Sequence, residues 1–345
     1  MRDPRYAKLA GVLVNYSVAV KRGELVEIAG GAVAEPLLSE IYREVLRVGG
    51  HPFLRVSLPG MAETFYKTAK QHQLKYISPV AKFETDHVDK FISIWGGENT
   101  KAMAGVDPKK QAIRSKATSG LFMRFMEREA AGELLWVGTQ FPCNASAQDA
   151  EMSLEDYEDF VLNACMLNKK DPIAAWKRVH NKQAKICKQL DQRKKIRVVA
   201  EGTDLTMNVE GRKWINCDGA ANMPDGEIFT GPIEDSVEGS VSFSFPGFYS
   251  GKEADGIRLT FKKGKVVKAT ASKNEDFLHA MLDSDEGARR VGEFAIGTNY
   301  SVQKFTKNTL FDEKIGGTFH MALGASLPES GGVNQSGVHW DIVND

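Results

Sequence analysis

The chain has 345 residues, 42% of them hydrophobic and 26% charged, which excludes a fibrous or disordered protein and is long enough for two domains. Lys and Arg number 45 and so do Asp and Glu, so no net field favours nucleic acid or an anionic membrane as partner. No window approaches the roughly 18 uncharged apolar residues of a membrane span, and Met1-Arg2-Asp3-Pro4-Arg5 lacks the apolar core of a secretory leader.

Cys143, Cys165, Cys187 and Cys217 form no C-x-x-C pair. That argues against a thiolate zinc site and a disulfide framework, and a cytoplasmic, reducing setting is expected.

In chain order, Leu9, Val12, Leu13 and Tyr16 recur at helical spacing behind Pro4 and predict a helix over 4–20. Lys21-Arg22-Gly23 closes it, and Leu25-Val26-Glu27-Ile28-Ala29 reads as a buried strand. A helix over 35–48, a strand over 52–56, a strand over 91–95, a long helix over 107–129 and a strand over 134–138 continue the alternation. This order predicts an α/β N-terminal domain with a mostly parallel, Rossmann- or flavodoxin-like sheet. Gly30-Gly31 follows a strand but lacks the G-x-G-x-x-G spacing, so turn chemistry is preferred over phosphate binding.

Ser153-Leu154-Glu155-Asp156 resembles a capping box and opens a helix to about 167. A strongly basic helix follows over 171–195, whose lysines and arginines read as a solvated face in a chain without net charge. Beyond it, strand-like alternation at 196–200, 205–209, 241–245 and 257–261 marks a second, α+β and largely antiparallel domain. Lys262-Lys263-Gly264-Lys265 predicts a hairpin turn, and Asn274 a cap for a helix over 274–282. The expected domains are 1–195 and 196–345.

The last thirty residues carry the chemistry. His339 and Asp341 stand at i, i+2, which places both on one face of a strand, and His320 lies in a run punctuated by Gly316, Gly317 and Gly324. Upstream, Glu227 and Glu293 each open an apolar, β-type run, where a carboxylate is costly to bury unless something pairs with it. Taken singly, each glutamate reads equally as a solvent-facing strand residue and each histidine as a hydrogen-bonded core residue. Gathered together, nitrogen and oxygen donors without thiolate suit Zn, Co or Mn.

Four ordered blocks carry a resemblance: 222–232, 293–299, Asp312-Glu313-Lys314-Ile315-Gly316-Gly317-Thr318-Phe319-His320-Met321-Ala322-Leu323-Gly324, and His339-Trp340-Asp341. Over essentially its whole length the chain resembles the thermophilic metalloaminopeptidases of peptidase family M29, the aminopeptidase T, S and PepS type. The resemblance implies a metal-binding second domain with two divalent ions held by Glu227, Glu293, His320, His339 and Asp341. It implies Glu293 or Glu313 as proton carrier, peptides with a free N-terminus as substrates, and a homodimer. Relatives commonly carry a tyrosine seven residues after the first ligand histidine, where this chain has Leu327, with Tyr300 as another source of a phenol. They also usually continue beyond the position of Asp345. A metal-binding homologue without catalysis, or another two-metal hydrolase such as a phosphoesterase, are the alternative readings.

Overall fold

The computed structural model describes residues 3–249 and 251–345. The fold divides into two compact units, the first ending at Ile173 and including Gly219–Pro224, the second comprising Ala174–Asp218 and Asp225–Asp345. The boundary expected at 195/196 falls one helix later than this division. The physical reason is that helix Pro172–Leu190 sends Cys187 into the apolar core of the second unit, with Ile186 and Leu190 packed against it.

The first unit holds a five-stranded sheet in the order His51–Ser57, Leu25–Gly31, Lys90–Trp95, Leu135–Gln140, Asn222–Met223, with every neighbouring pair parallel. Val26 and Ile28 of the second of these strands are fully buried. The amphipathic helix Glu35–Arg47 buries Leu37, Leu38, Ile41 and Val45. Gly30 and Gly31 serve close packing: a Cβ on Gly31 would lie 2.9 Å from the Gly96 carbonyl oxygen.

Asp3 caps the first helix by accepting from the Arg5 N–H, with Pro4 in the first turn. The α-helix ends at Val12 and passes into a π-helical turn, Leu13–Ser17, so the single helix expected over 4–20 is a shorter α-helix with a wider last turn. Asp107 caps Pro108–Ala130, and Ser153 caps Leu154–Ala164 by accepting from the Asp156 N–H. Helices Met61–Thr68, Gln71–Lys75 and Pro79–His87 escape sequence reading because, Leu74 apart, they bury no residue.

The second unit contains two antiparallel five-stranded sheets. One runs Lys265–Thr270, Arg258–Lys262, Glu238–Ser242, Thr203–Asn208, Lys195–Ala200. Its Lys263-Gly264 hairpin has φ of 49° and 72°, the positive pair a two-residue turn requires. The helix Glu275–Leu282 forms as expected, but Asn274 does not cap it: its backbone is left-handed and its amide donates to the Glu253 carbonyl.

The other sheet, which bears the site, runs His339–Asn344, Phe319–Gly324, Val291–Gly297, Glu227–Thr230, Ile215–Cys217. Ile228, Phe294, Phe319, Met321, Leu323, Trp340 and Ile342 lie in one core with Leu205, Met207, Val241, Leu259 and Phe261 of the first sheet. Their strand neighbours at odd offsets must then face the other way.

Candidate metal centre

Directly paired residues of an antiparallel sheet project to the same face. On the face opposite the core, His339 pairs with Gly324, Asp341 with Ala322 and Ala322 with Glu293. The next rows join Val343, His320 and Ala295, then Gly297, Glu227 and Cys217. Titratable groups are thus interleaved with alanine and glycine, whose small side chains leave space between them.

Glu293 reaches this face through an irregularity. The register shifts between Val291 and Glu293, with Val291 opposite Leu323 and Glu293 opposite Ala322. Gly292 is the extra residue of this bulge, and a Cβ there would lie 2.0 Å from the Ala325 carbonyl oxygen. Val291 consequently stays in the core while Glu293, two residues on, faces the site.

His320 Nε2 lies 3.4 Å from Glu293 Oε1 and 3.5 Å from Glu227 Oε2. His339 Nε2 lies 3.5 Å from Glu293 Oε2 and 3.5 Å from Asp341 Oδ1. Two triads result, Glu227–Glu293–His320 and Glu293–His339–Asp341, each with donor atoms within 4.8 Å of one another and with Glu293 common to both. Glu313 joins His320 and Asp341 in a third such group. His339 Nδ1 is 2.9 Å from the Ala325 carbonyl, so it donates there and Nε2 is turned to the carboxylates.

Buried polar atoms are nearly always hydrogen-bonded, and leaving one unpaired costs about 1–3 kcal/mol. Here Glu227 Oε2, both ring nitrogens of His320 and Asp341 Oδ1 are buried without a hydrogen-bond partner. Divalent cations among these atoms would satisfy the carboxylate oxygens and a ring nitrogen together. The donor set therefore fits a borderline or hard divalent metal.

Without metal, protons take that place. Burial works against a charged imidazole, yet Glu293 and Glu227 hold His320 up at about 9, and Asp341 and Glu293 hold His339 up at about 12. Burial raises Glu227 to about 8 despite Lys314. Glu293 and Asp341 are also buried, but the histidine rings keep both below the ordinary carboxylate value. Burial raises Glu313, with Lys314 opposing.

Lys314 is fully buried, and its Nζ donates to Glu227 Oε1 at 2.5 Å and Glu313 Oε1 at 2.6 Å. Burial disfavours the ammonium, but these two carboxylates and Asp225 keep it charged. Gln183, from the basic helix, is buried and donates from Nε2 to the carbonyls of Glu227 at 2.8 Å and Cys217 at 2.9 Å, fixing the backbone under the first triad.

Glu227, Glu293, Glu313, His320, His339 and Asp341 are all brought together. Sequence reading finds Lys314 as the basic residue near the ligands but assigns no role to it or to Asp225, Cys217 and Gln183; the charged run Asp312-Glu313-Lys314 ahead of His320 is the available signal. Leu327 is half-buried, and its carbonyl accepts from Ser330 Oγ at 2.7 Å. Tyr300 is 64% exposed, with its ring beneath the Lys182 ammonium.

Aminopeptidase 2 of Geobacillus stearothermophilus is 29% identical over 98% of this chain and 90% of its own length. Aminopeptidase PepS of Streptococcus thermophilus is 27% identical over 98% of this chain and 91% of its own length. The solved structure of wild-type AmpT from Thermus thermophilus superposes with a TM-score of 0.83 at 24% identity, covering 98% of this chain and 92% of that one, and shows the same fold. The family profile described as thermophilic metalloprotease (M29) matches residues 2–345. This chain belongs to the M29 family of metalloproteases.

Proposed function

We propose that the protein is a metal-dependent aminopeptidase that hydrolyses the N-terminal bond of peptides, with two divalent ions held by Glu227, Glu293, His320, His339 and Asp341. The carrying observation is the Glu293 carboxylate, which turns one oxygen to each histidine and is common to two triads. When bound, such an ion pair lowers the pKa of a water, polarises the scissile carbonyl and anchors the free α-amine.

The chain's own groups do the rest. Glu293 has both oxygens committed to the two halves of the site, which leaves Glu313 as the proton carrier from water to leaving amine. Burial raises its carboxyl above the ordinary glutamate value, with Lys314 opposing. Lys314 and Gln183 orient rather than react. Zn, Co and Mn all suit the donors.

A phosphoesterase reading would gain support from a basic side chain free to meet phosphate beside the ions, whereas the Lys314 ammonium is committed to Glu227 and Glu313. A homodimer belongs to the same reading, supported by apolar side chains left exposed on the edge strand, Leu54 and Val56, and on helix Pro108–Ala130, Phe122 and Met123. So does a cytoplasmic setting, supported by four free cysteines. Among the described residues, no helix is long and apolar enough to cross a membrane.

The test is a side-by-side assay of an aminoacyl anilide, its N-acetylated form and a phosphomonoester, after chelation and re-addition of Zn, Co or Mn, with elemental analysis of the protein. Cleavage of the free-amine substrate alone, restored by metal at two ions per chain, is expected. Cleavage of the acetylated substrate, or hydrolysis of the phosphoester alone, would replace this reading; two bound ions without turnover on any substrate would leave a metal-binding homologue.

A further inference from the structure

Glu227 belongs to a second acidic group, with Asp225 and Cys217, whose donor atoms lie within 4.8 Å of one another. In composition this carboxylate–carboxylate–thiol nest is as able to hold a divalent ion as the two triads beside it. It already has a cation. Lys314 Nζ lies 2.5 Å from Glu227 Oε1 and 3.7 Å from Asp225 Oδ1, and the same ammonium reaches Glu313 Oε1 at 2.6 Å.

An ammonium has three N–H donors and no acceptor. Two of them are used in hydrogen bonds to carboxylates and the third side of the group faces Asp225, so none is left to meet a substrate carbonyl. The residue is also pinned by its backbone, donating its N–H to Phe311 at 3.0 Å and accepting from the Asn299 N–H at 3.0 Å. A charge fixed in this way cannot be removed by a chelator. It takes Oε1 of Glu227 out of competition and leaves Oε2, which has no hydrogen-bond partner, for the triad with His320 and Glu293.

We propose that Lys314 is a positioning residue that serves as a built-in third cation: it keeps a third divalent ion out of the Cys217–Asp225–Glu227 nest and fixes how Glu227 and Glu313 present themselves. This rests on the two-ion reading of the main site. Removing the ammonium opens the nest, and a soft thiolate becomes available as ligand alongside two carboxylates.

The experiment compares wild type, Lys314→Met and Lys314→Met/Cys217→Ser, each stripped by chelation and titrated with Co²⁺, with ion count, near-ultraviolet absorption and far-ultraviolet circular dichroism recorded. Wild type is expected to take two ions without a cobalt–thiolate charge-transfer band. Lys314→Met is expected to take three and to show the band, and Cys217→Ser in that background to abolish it; Lys314→Arg, which restores the charge, is expected to return the count to two without the band. A folded Lys314→Met that binds two ions and shows no band would overturn the proposal. If Lys314→Met does not fold, Lys314→Gln carries the same comparison with amide donors retained. Wild type binding no cobalt would be a different result, removing the two-ion reading itself and this proposal with it.

Discussion

Asp341 and Glu293 lie in one row of the sheet, separated by the paired Ala322 between their strands. Ala322 is fully buried, and its single methyl is what keeps the gap between the two carboxylates open. Replacing it with a larger side chain fills the space the ions need while leaving every donor in place. Ala322→Leu is expected to lose most bound metal and activity and to lower stability by about 1–3 kcal/mol through overpacking. Elemental analysis and a denaturant melt of the chelated protein separate the two effects: wild-type metal content in the variant would show that the gap is not where the ions sit.

Asp341→Asn and His339→Ala each remove a donor from the second triad and none from the first. Both are expected to weaken metal binding by more than the roughly 10- to 100-fold that an indirect partner costs, and to abolish turnover, with the far-ultraviolet spectrum unchanged. Retention of wild-type metal content and rate by either variant would exclude it from the site.

Glu313→Gln should behave differently. A proton carrier can be lost without losing the metal, so kcat is expected to fall by about 10²–10⁴-fold with ion content held at the wild-type value. A drop in metal content of the same size as in Asp341→Asn would make Glu313 a ligand.

The histidines give the metal-free protein a distinctive pH response. His320 and His339 have folded-state values raised to about 9 and about 12, so the stability they contribute is full below the unfolded value near 6.5 and is lost as pH rises through the folded values. Glu227, raised from 4.5 to about 8, acts in the same direction over its own interval. Glu293 and Asp341 are lowered, so their contribution is present above the unfolded carboxylate values and is lost only in acid. The chelated protein is therefore expected to lose Tm steadily from about pH 6.5 to 9. The loaded protein should respond less, because binding has already expelled the protons. Calorimetric titration with metal at pH 7 in buffers of different ionisation enthalpy should show net proton release, and a buffer-independent heat would contradict the raised values.

Much of this was readable from residue patterns. Strict alternation around His339 and Asp341 placed both on one strand face, and the glycine-framed runs around Glu227 and Glu293 marked them as carboxylates awaiting a partner. The α-β alternation up to 140 specified a parallel sheet because each crossover must bury one apolar stripe, as Leu37, Ile41 and Val45 do. What escaped was whatever depends on distant pairing. Lys314 looked like one basic residue in a charged run, and only the strand partnership of Glu227 with Cys217 shows what its ammonium faces. Gln183 sits on a helix whose sequence advertises a solvated basic face, yet it is buried at the floor of the site. The short helices between 61 and 87, Leu74 apart, bury no residue, so the core places little demand on their sequence.

The bulge at Gly292 separates two phases of one strand. Side chains change face with every one-residue step, so Val291 and Glu293, which stand opposite the successive residues Leu323 and Ala322, would keep their faces if Gly292 were deleted and the two became adjacent. The extra residue therefore does not decide where Glu293 points. It fills the step between apolar contact and carboxylate with a residue that has no side chain, and the Ala325 carbonyl oxygen, 2.0 Å from where a Cβ would stand, keeps it a glycine. A designer transplanting the site onto another antiparallel sheet would need the donor residues in their rows and could do without the irregular backbone.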